Sequence, residues 1–314
     1  MHYQDPLVSI VVITYNSSKF VLETLESAKE QSWQNVELII TDDCSTDNTV
    51  EICQNWMDKN KTRFVNAKLV TAERNTGIAP NANRGMKASK GEWVKFIAGD
   101  DLLLPNCIEE LIHYLKMNKN LPIKFLVHGI LPFKNGTQFK VVFPPDEFIE
   151  NDAHHQLIYL LKRGNCISGS AFFLERLKLI ELGGFDESYV MFEDFPLTLK
   201  YTRNNYKIWI IKKPLFKYRI HDCNLSFDRS NLLQESYIRF RNEILFPILF
   251  EQGLFLTYWH RFVQGKQKYR FLWAILFRLS PLSWLDKIYR ITGKSYFYNH
   301  KFEFQKTTSK NVNQ

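Results

Sequence analysis

The stretch WVKFIAGDDLLLP, residues 93–105, joins a short apolar strand to two adjacent carboxylates, Asp100 and Asp101. Two carboxylates about 6 Å apart repel each other by roughly 3 kcal/mol at an effective dielectric constant of about 20. Either one of them keeps its proton, or a cation such as Mg²⁺ or Mn²⁺ lies between them. The alternative is a solvated loop in which the two acids are unrelated and one of them caps the helix that follows.

This strand is the fourth in a regular alternation of strands and helices. The first strand, LVSIVVIT, is a continuous apolar run rich in β-branched residues, which indicates burial on both faces of a sheet. Repeated β-α-β units of this size predict an α/β fold with a parallel, doubly wound sheet. The other predicted strands are VELIITDD, AKLVTAE and EWVKFIA, and the predicted helices are SSKFVLETLESAKEQS, DNTVEICQNWMDK (with Asp47 as its N-cap) and APNANRGMKAS.

Polar side chains follow each of these strands at its carboxyl end, where open α/β sheets bind their ligands. One edge of the sheet is therefore expected to gather an aromatic ring, an arginine and two pairs of carboxylates. Each residue taken singly also fits ordinary turn chemistry, but four strand ends together favour a binding site. The residues are Thr14, Tyr15 and Asn16 after the first strand, Asp42 and Asp43 after the second, Arg74 and Asn75 after the third, and Asp100 and Asp101 after the fourth.

Two familiar nucleotide-binding loops are missing from the sequence. The first strand is followed by TYNSSKF, which lacks the glycines of a dinucleotide-binding turn. The only GKS triplet, residues 293–295, lacks the upstream glycine of a P-loop because Ile288 occupies that position. The carboxylates suggest instead that a metal ion holds a diphosphate.

Composition indicates a globular protein in a reducing compartment. Of 314 residues 45% are hydrophobic, and the five cysteines form no CxxC pair, so we expect free thiols rather than disulfides or a zinc site. The N-terminus has no basic segment before its apolar run, which argues against a signal peptide.

The second part of the chain changes pattern. FLVHGILPFKNGTQFKVVF predicts two strands joined by a turn at Asn135–Gly136. CISGSAFFL predicts a strand that carries Ser168, Gly169 and Ser170. FDESYVMFEDFPL places a second acid cluster just before a helix, with Pro196 in its first turn.

Seven motifs occur in the order seen in the inverting family 2 glycosyltransferases of the GT-A fold, and the chain resembles that family over about residues 6–226. The resemblance implies a GT-A, Rossmann-like and mostly parallel sheet with flanking helices, a nucleotide-sugar donor that is usually UDP-linked, and a divalent metal, Mn²⁺ or Mg²⁺. The motifs are PLVSIVVITYN, VELIITDDCSTDNT, RNTGIAPNANRG, KGEWVKFIAGDD, GGFDE, FEDFPL and YRIHDCNLS.

The resemblance also implies roles for single residues. For the donor, Thr14 is expected in its site, Tyr15 and Asp43 at the base, and Arg74 and Arg84 near the nucleotide. For the metal, Asp101 is expected as a ligand, Asp100 at the ribose or metal, and His221 at the metal or diphosphate. For the acceptor, Gly169 and Ser170 are expected nearby and Asp194 as the general base, with Glu193 as the competing base.

The chemistry of glycosyl transfer requires such groups. Charge builds on the departing diphosphate, which a divalent ion stabilises, and the acceptor hydroxyl needs a carboxylate within reach to take its proton. Asp194 could alternatively serve only as a helix cap. His221 could alternatively be an ordinary loop histidine that binds no ligand. Two positions depart from the family. Ala98-Gly99 replaces one acid of its D-x-D-D pattern, and Cys44 stands where the family favours glycine, so a turn with positive φ would be strained there.

The net charge of +8 falls entirely within residues 225–314. This segment is basic and aromatic, and none of its apolar runs reaches the roughly 18 residues of a spanning helix. We therefore predict a catalytic domain over residues 1–224 and a helical extension over 225–314 that lies on an anionic membrane surface. A helical cap without membrane contact is the alternative, and nucleic-acid binding ranks last because no recognised module for it occurs.

The sequence thus predicts a transferase that builds a polysaccharide or lipid-linked oligosaccharide, such as an O-antigen or capsule unit, at the cytoplasmic face of a bacterial membrane. A non-catalytic module that binds a sugar nucleotide or a membrane remains an alternative, although it has no need of a base at Asp194. A nucleotidyltransferase is a second alternative, but its glycine-rich and basic phosphate loop is missing after the first strand.

Overall fold

A computed structural model describes residues 5–189, 192–222, 224, 231–254 and 257. The chain divides into two compact units, residues 1–156 with 167–228 and residues 157–166 with 229–314. All the predicted site residues belong to the first unit. The domain boundary predicted after residue 224 stays a prediction, and most of the basic extension lies outside the described residues.

Strands and helices alternate over the first part of the chain as the sequence predicts. The strands are β1 (Val8–Thr14), β2 (Val36–Asp42), β3 (Ala67–Thr71), β4 (Trp93–Ala98), β5 (Leu102–Leu103), β6 (Phe125–Lys134), β7 (Thr137–Gln138), β8 (Phe172–Glu175) and β9 (Ile208–Arg219). The helices are α1 (Val21–Lys29), α2 (Thr49–Asn60), α3 (Ile78–Ala88), α4 (Cys107–Met117), α5 (Asp146–Ile149), α6 (Ala153–Arg163), α7 (Arg176–Glu181), α8 (Asp194–Arg203), α9 (Asn231–Phe240) and α10 (Phe246–Glu251).

The strands of the described residues form one mixed sheet in the order β3-β2-β1-β4-β8-β6-β9-β5, with β7 paired to β6. The four strands predicted as a parallel sheet are parallel: β1 pairs with β2 and β4, and β2 pairs with β3. Beyond β4 the sheet becomes mixed, because β8 runs antiparallel to both β4 and β6. The α/β fold with a mostly parallel sheet in its first half is thus confirmed.

Close packing of α3 against the sheet fixes the position of Arg84. A Cβ atom at Gly85 would lie 2.3 Å from Cγ1 of Val11, so only glycine lets this helix approach β1 so closely. At the amino ends of the strands, the buried carboxylate of Glu37 accepts hydrogen bonds from the Ser9 hydroxyl and the Gly91 amide. These bonds tie β2 to β1 and to the start of β4. The sheet and α3 therefore form a rigid base under the strand ends.

Two local predictions differ from the structure. The predicted strand at residues 168–170 is wrong: Gly169–Ala171 is a 3₁₀ turn, and β8 starts only at Phe172. Serine and glycine have low strand propensity, and the Ala171 amide donates to the Ser168 carbonyl instead of to a neighbouring strand. The N-cap position of α2 is Asn48 rather than Asp47, although the Asp47 carboxylate does accept a hydrogen bond from the Thr49 amide.

Other local predictions are confirmed. The Asn135–Gly136 turn joins β6 to β7, with Lys134 opposite Thr137. Pro196 lies in the first turn of α8. All the cysteines that the described residues include are free thiols.

In the second unit, α9 continues through a π-helical segment, Arg241–Leu245, into α10. In the part of the chain that the structure describes, we find no helix with the length and apolar character needed to cross a bilayer.

Candidate active site at the carboxyl edge of the sheet

The carboxyl ends of β1, β2 and β4 meet at one edge of the sheet. Thr14 is opposite Asp42 in the β1–β2 register, and Ile13 is opposite Ala98 in the β1–β4 register. Hydrogen bonds continue past the strands: the Asp43 amide donates to the Thr14 carbonyl at 3.0 Å, and the Gly99 amide donates to the Ile13 carbonyl at 2.9 Å. The residues that follow these strands are therefore neighbours in space.

Asp43 and Arg84 form one side of this edge. The Asp43 carboxylate is 2% exposed and accepts hydrogen bonds from the amides of Thr76 and Gly77 at 2.8 and 2.6 Å. The guanidinium of Arg84 forms a salt bridge with the same carboxylate and also donates to the Thr76 hydroxyl. These contacts hold the loop before α3 in one conformation, and they leave the Arg84 side chain 24% exposed.

The other residues predicted for the donor site are in different environments. Thr14 is buried, and its hydroxyl donates to Oδ2 of Asp42 at 2.7 Å. It therefore supports the turn from within. Tyr15 is 47% exposed and Arg74 is also exposed, so both side chains are accessible at the edge. Cys44 has a φ of +65°, as expected where the family favours glycine, and so carries the predicted backbone strain.

Asp100 and His221 meet on the other side of the edge. Nε2 of His221 lies 2.9 Å from Oδ2 of Asp100, and both side chains are partly exposed, at 17% and 25%. The imidazole ring is also tilted against the ring of Phe20, with centroids 4.8 Å apart. The His221 amide donates to Oδ1 of Asn224 at 2.6 Å, which closes the turn that follows β9.

Asp101 is in a different environment from its neighbour. It is 1% exposed, and its Oδ1 accepts the backbone amide of Arg219 at 2.8 Å. Burial, together with the charge of Asp100, raises the pKa of the Asp101 carboxyl well above its usual range. His221 is thus brought to Asp100 rather than to Asp101, and this arrangement favours Asp100 as the carboxylate that faces a ligand.

Arg219 connects these groups, and the sequence interpretation did not single it out. Its Nε donates to the Asp100 carbonyl at 2.7 Å, and its Nη2 donates to Glu23 at 2.8 Å. Its guanidinium lies 4.7 Å from the ring centroids of both Phe20 and Phe133. Arg219 and Asn224 both belong to the YRIHDCNLS segment, so their closeness to His221 in the sequence was the available signal.

The residues predicted for the acceptor side lie in the 3₁₀ turn at Gly169 and at the start of α8. A Cβ atom at Gly169 would lie 3.0 Å from Oε1 of Glu193 and 3.8 Å from Cβ of Asp194. Asp194 is 5% exposed and its Oδ1 accepts the Phe195 amide at 2.8 Å. The structure therefore brings Gly169 to both of the acids predicted as candidates for the general base, and Ser170 follows in the same turn.

The donor atoms of this edge suit a hard or borderline divalent cation. In the described part of the chain no group of three or more histidine, cysteine, aspartate or glutamate side chains is placed to hold a metal. The pair Asp100–His221 supplies one carboxylate and one imidazole, a combination that Mn²⁺ accepts. Mg²⁺ and Mn²⁺ commonly complete their coordination with water and phosphate oxygens, so two protein ligands are compatible with such a site.

Comparison with known proteins agrees with this geometry. Residues 9–138 match the family described as "Glycosyl transferase family 2". An uncharacterized glycosyltransferase of Rickettsia typhi is 28% identical over 232 residues, which cover 74% of this chain and 69% of the relative. The glycosyltransferase GlyG of Streptococcus pneumoniae is 29% identical over 218 residues, which cover 68% and 70% of the two chains.

Solved structures share the fold. Residues 1–349 of S. aureus TarS in complex with UDP-GlcNAc superpose with a TM-score of 0.56 at 20% identity, covering 82% of this chain and 81% of that one. The mannosyltransferase PcManGT from Pyrobaculum calidifontis, in complex with GDP-Man and Mn²⁺, superposes with a TM-score of 0.53 at 18% identity, covering 71% and 60%. Residues 9–138 therefore carry a glycosyltransferase family 2 domain, and the chain shares the GT-A-like fold of these solved structures.

Proposed function

We propose that this chain is an inverting, metal-dependent glycosyltransferase that takes its sugar from a nucleotide-sugar donor, a UDP-sugar in the first place. The observation that carries the proposal is the contact between Asp100 and His221 at the same sheet edge as the Asp43–Arg84 pair. A donor of this class also suits the fold relatives, since TarS binds UDP-GlcNAc and PcManGT binds GDP-Man with Mn²⁺.

Each end of the donor would meet a different part of the edge. The base would lie near Tyr15 and the loop that Asp43 holds, with Arg74 and Arg84 toward the phosphates. Asp100 and His221 would hold Mn²⁺ or Mg²⁺ near the diphosphate. Asp101, which the sequence resemblance had suggested as the metal ligand, is buried against the Arg219 amide and would instead fix the end of β9. When bound, the ion would act as a Lewis acid that stabilises the negative charge of the leaving diphosphate.

Asp194 would act as the general base of the transfer. It would take the proton of the acceptor hydroxyl while the acceptor oxygen bonds to the anomeric carbon. In the same displacement, the bond from that carbon to the diphosphate oxygen breaks, and the electron pair leaves with the diphosphate. One base and one direct displacement invert the anomeric centre. The Gly169–Ser170 turn would leave room for the acceptor beside Asp194.

The acceptor we propose is a growing polysaccharide or a lipid-linked oligosaccharide, reached at the cytoplasmic face of a membrane. Exposed apolar and basic side chains on α9, the π-helical segment and α10 support a peripheral contact with an anionic surface. Among them are Ile238 and Phe250, which are 44% and 60% exposed, and Arg239, which is exposed and forms a salt bridge with Glu243.

Calorimetric titration tests the donor proposal. UDP, GDP and dTDP are titrated into the wild type with and without Mn²⁺, and into Asp100→Asn, with Asp58→Asn on α2 as a control for the loss of a surface charge. We expect one nucleotide to bind only with metal, and Asp100→Asn to lose that binding while Asp58→Asn keeps it. If no nucleotide binds the wild type under any condition, the donor proposal fails.

A further inference from the structure

A lysine lies completely buried in the sheet beneath the proposed acceptor side. Lys95 is in the middle of β4 and is 0% exposed. Its Nζ donates to the Ser170 carbonyl at 2.6 Å and to the Phe172 carbonyl at 3.4 Å. The ammonium also lies 5.0 Å from the centroid of the Phe216 ring. Its polar contacts are therefore to main-chain oxygens of one short segment.

In the described part of the chain, no carboxylate neutralises this charge at close range. Among the described residues no salt bridge includes Lys95, although the negative charge of Asp101, and of Cys107 where it is ionised, would favour its charged form. Burial outweighs them and lowers the pKa of Lys95 to about 8. Its charge also acts with burial to hold the pKa of His128 well below the usual range. Burying a cation without a carboxylate partner destabilises the folded state, so the hydrogen bonds to the two main-chain carbonyls are what hold the ammonium in place.

The residues whose carbonyls Lys95 binds belong to a segment that faces Glu193 and Asp194 at the start of α8. Ser170 is in the Gly169–Ala171 turn, and Phe172 is the first residue of β8. From the other side, Gly169 packs against Glu193 so closely that a Cβ atom would lie 3.0 Å from Oε1. The turn thus lies between the ammonium of Lys95 and the acids.

We propose that Lys95 is a positioning residue that holds the Gly169–Ala171 turn against Glu193 and Asp194 and thereby shapes the acceptor side of the site. The acceptor part of this inference rests on the proposed function, whereas the hold on the turn does not. An apolar side chain would fill the same volume in this strand, which is buried on both faces, without burying a charge. A donor that reaches the Ser170 carbonyl before β8 begins and the Phe172 carbonyl at its first residue fixes the turn where regular strand pairing ends.

Hydrogen–deuterium exchange of the turn tests the hold directly. Lys95→Met keeps almost the same volume and removes the donors and the charge, so loss of packing does not confuse the result. We expect amides 168–172 to exchange about tenfold to a hundredfold faster, the range that corresponds to losing a hydrogen bond from a charged group. Lys68→Met, at an exposed position of β3, should leave them unchanged. Lys95→Arg, which restores charge and donors, should recover most of the protection.

Exchange of the wild-type turn at several pH values provides a second test of the same contact. If Lys95→Met does not fold, the wild type is followed from pH 6.5 to pH 9.5, and protection of the turn should fall about threefold or more as the ammonium becomes the weaker neutral donor. Folded Lys95→Met with turn exchange within about twofold of the wild type overturns the proposal, as does unchanged wild-type protection over that pH range.

Titration of UDP with Mn²⁺ separates this inference from the proposed function. Lys95→Met should bind UDP within about twofold of the wild type, because its contacts lie on the acceptor side. If the wild type itself does not bind UDP, the donor proposal fails, but the exchange experiment still decides whether Lys95 holds the turn.

Discussion

Nε2 of His221 lies 2.9 Å from Oδ2 of Asp100, although 121 positions separate the two residues in the chain. The contact joins the end of β4 to the turn after β9, which are elements with no direct strand pairing. The carboxylate and imidazole are thus placed as a pair by two remote segments, and both remain partly open to solvent.

The first prediction concerns metal dependence. Removing metal with EDTA should abolish transfer, and Mn²⁺ should restore it in the wild type. His221→Ala should need at least about tenfold more Mn²⁺ for half-maximal activity, because one of two protein ligands is lost. His113→Ala, on the exposed face of α4, serves as the control and should keep the wild-type requirement. Full activity in EDTA would contradict the metal-dependent mechanism.

The second prediction separates the two candidate bases. Asp194→Asn should lower turnover by about 10²–10⁴ while nucleotide affinity changes little, because the amide cannot accept the acceptor proton. Glu193→Gln should cost much less. Turnover is measured as nucleotide release from the donor that calorimetry selects. A larger loss in Glu193→Gln than in Asp194→Asn would assign the base to Glu193 instead.

The fold was largely predictable because its first half follows simple rules. The strands β1, β2 and β4 are apolar runs flanked by turn residues; Asp43 follows β2 directly, and Asp100 lies two residues after the end of β4. The order of β-α-β units then places these strand ends together. This reasoning needs only local sequence, so it holds before any long-range contact is known.

Other features depend on contacts that local sequence does not contain. Asp100 and Asp101 are adjacent and of the same type, and only long-range contacts such as that of the Arg219 amide with Asp101 distinguish the buried acid from the exposed one. Residues 168–170 lie directly before the apolar run AFFL and so suggest part of one strand, yet the strand begins only at Phe172. Lys95 looks like a solvated lysine in a strand until the carbonyl of Ser170 is found beside it.

The third prediction concerns Gly169. In Gly169→Ala the new methyl group would meet Glu193 Oε1 at 3.0 Å, so the side chain of Glu193 has to move. Because that end is flexible, we expect a melting temperature within a few degrees of the wild type (about 1 kcal/mol or less in stability). Turnover should still fall about tenfold, since a misplaced group beside the reacting atoms is costly. Ser168→Ala adds no atom there and should retain activity; equal turnover in both variants would contradict the role of the turn.

The fourth prediction is a pH dependence of stability. The folded-state pKa of Lys95 is about 8, below its ordinary value of 10.5. Between these values the unfolded chain binds more protons, so this lysine makes the free energy of unfolding rise as pH increases from about 8 to about 10.5. At pH 7 the same shift costs the folded state about 3 kcal/mol.

Chemical denaturation across this window measures the effect. Of the groups that act on Lys95, the buried Asp101 is the one that can carry a charge in this window, because burial raises the pKa of Cys107 to about 12 and its thiol stays neutral. Burial and the charge of Lys95 in turn lower the pKa of the neighbouring His128. Lys95→Met should lose the rise in stability above pH 8, whereas Lys68→Met should keep it. The same slope in all three proteins would show that Lys95 does not titrate in this range.

The fifth prediction concerns the membrane. The wild type should float with vesicles that contain phosphatidylglycerol and should detach at about 0.5 M salt, where charges are screened within a few ångströms. Phe250→Ser removes an exposed aromatic side chain from α10 and should weaken flotation several-fold, because less apolar area enters the interface. Val65→Ser removes a similarly exposed apolar side chain from the first unit, 64% exposed, and should have no effect. If the wild type fails to float with anionic vesicles at low salt, the basic extension does not bind membranes, and a helical cap becomes the better interpretation of residues 225–314.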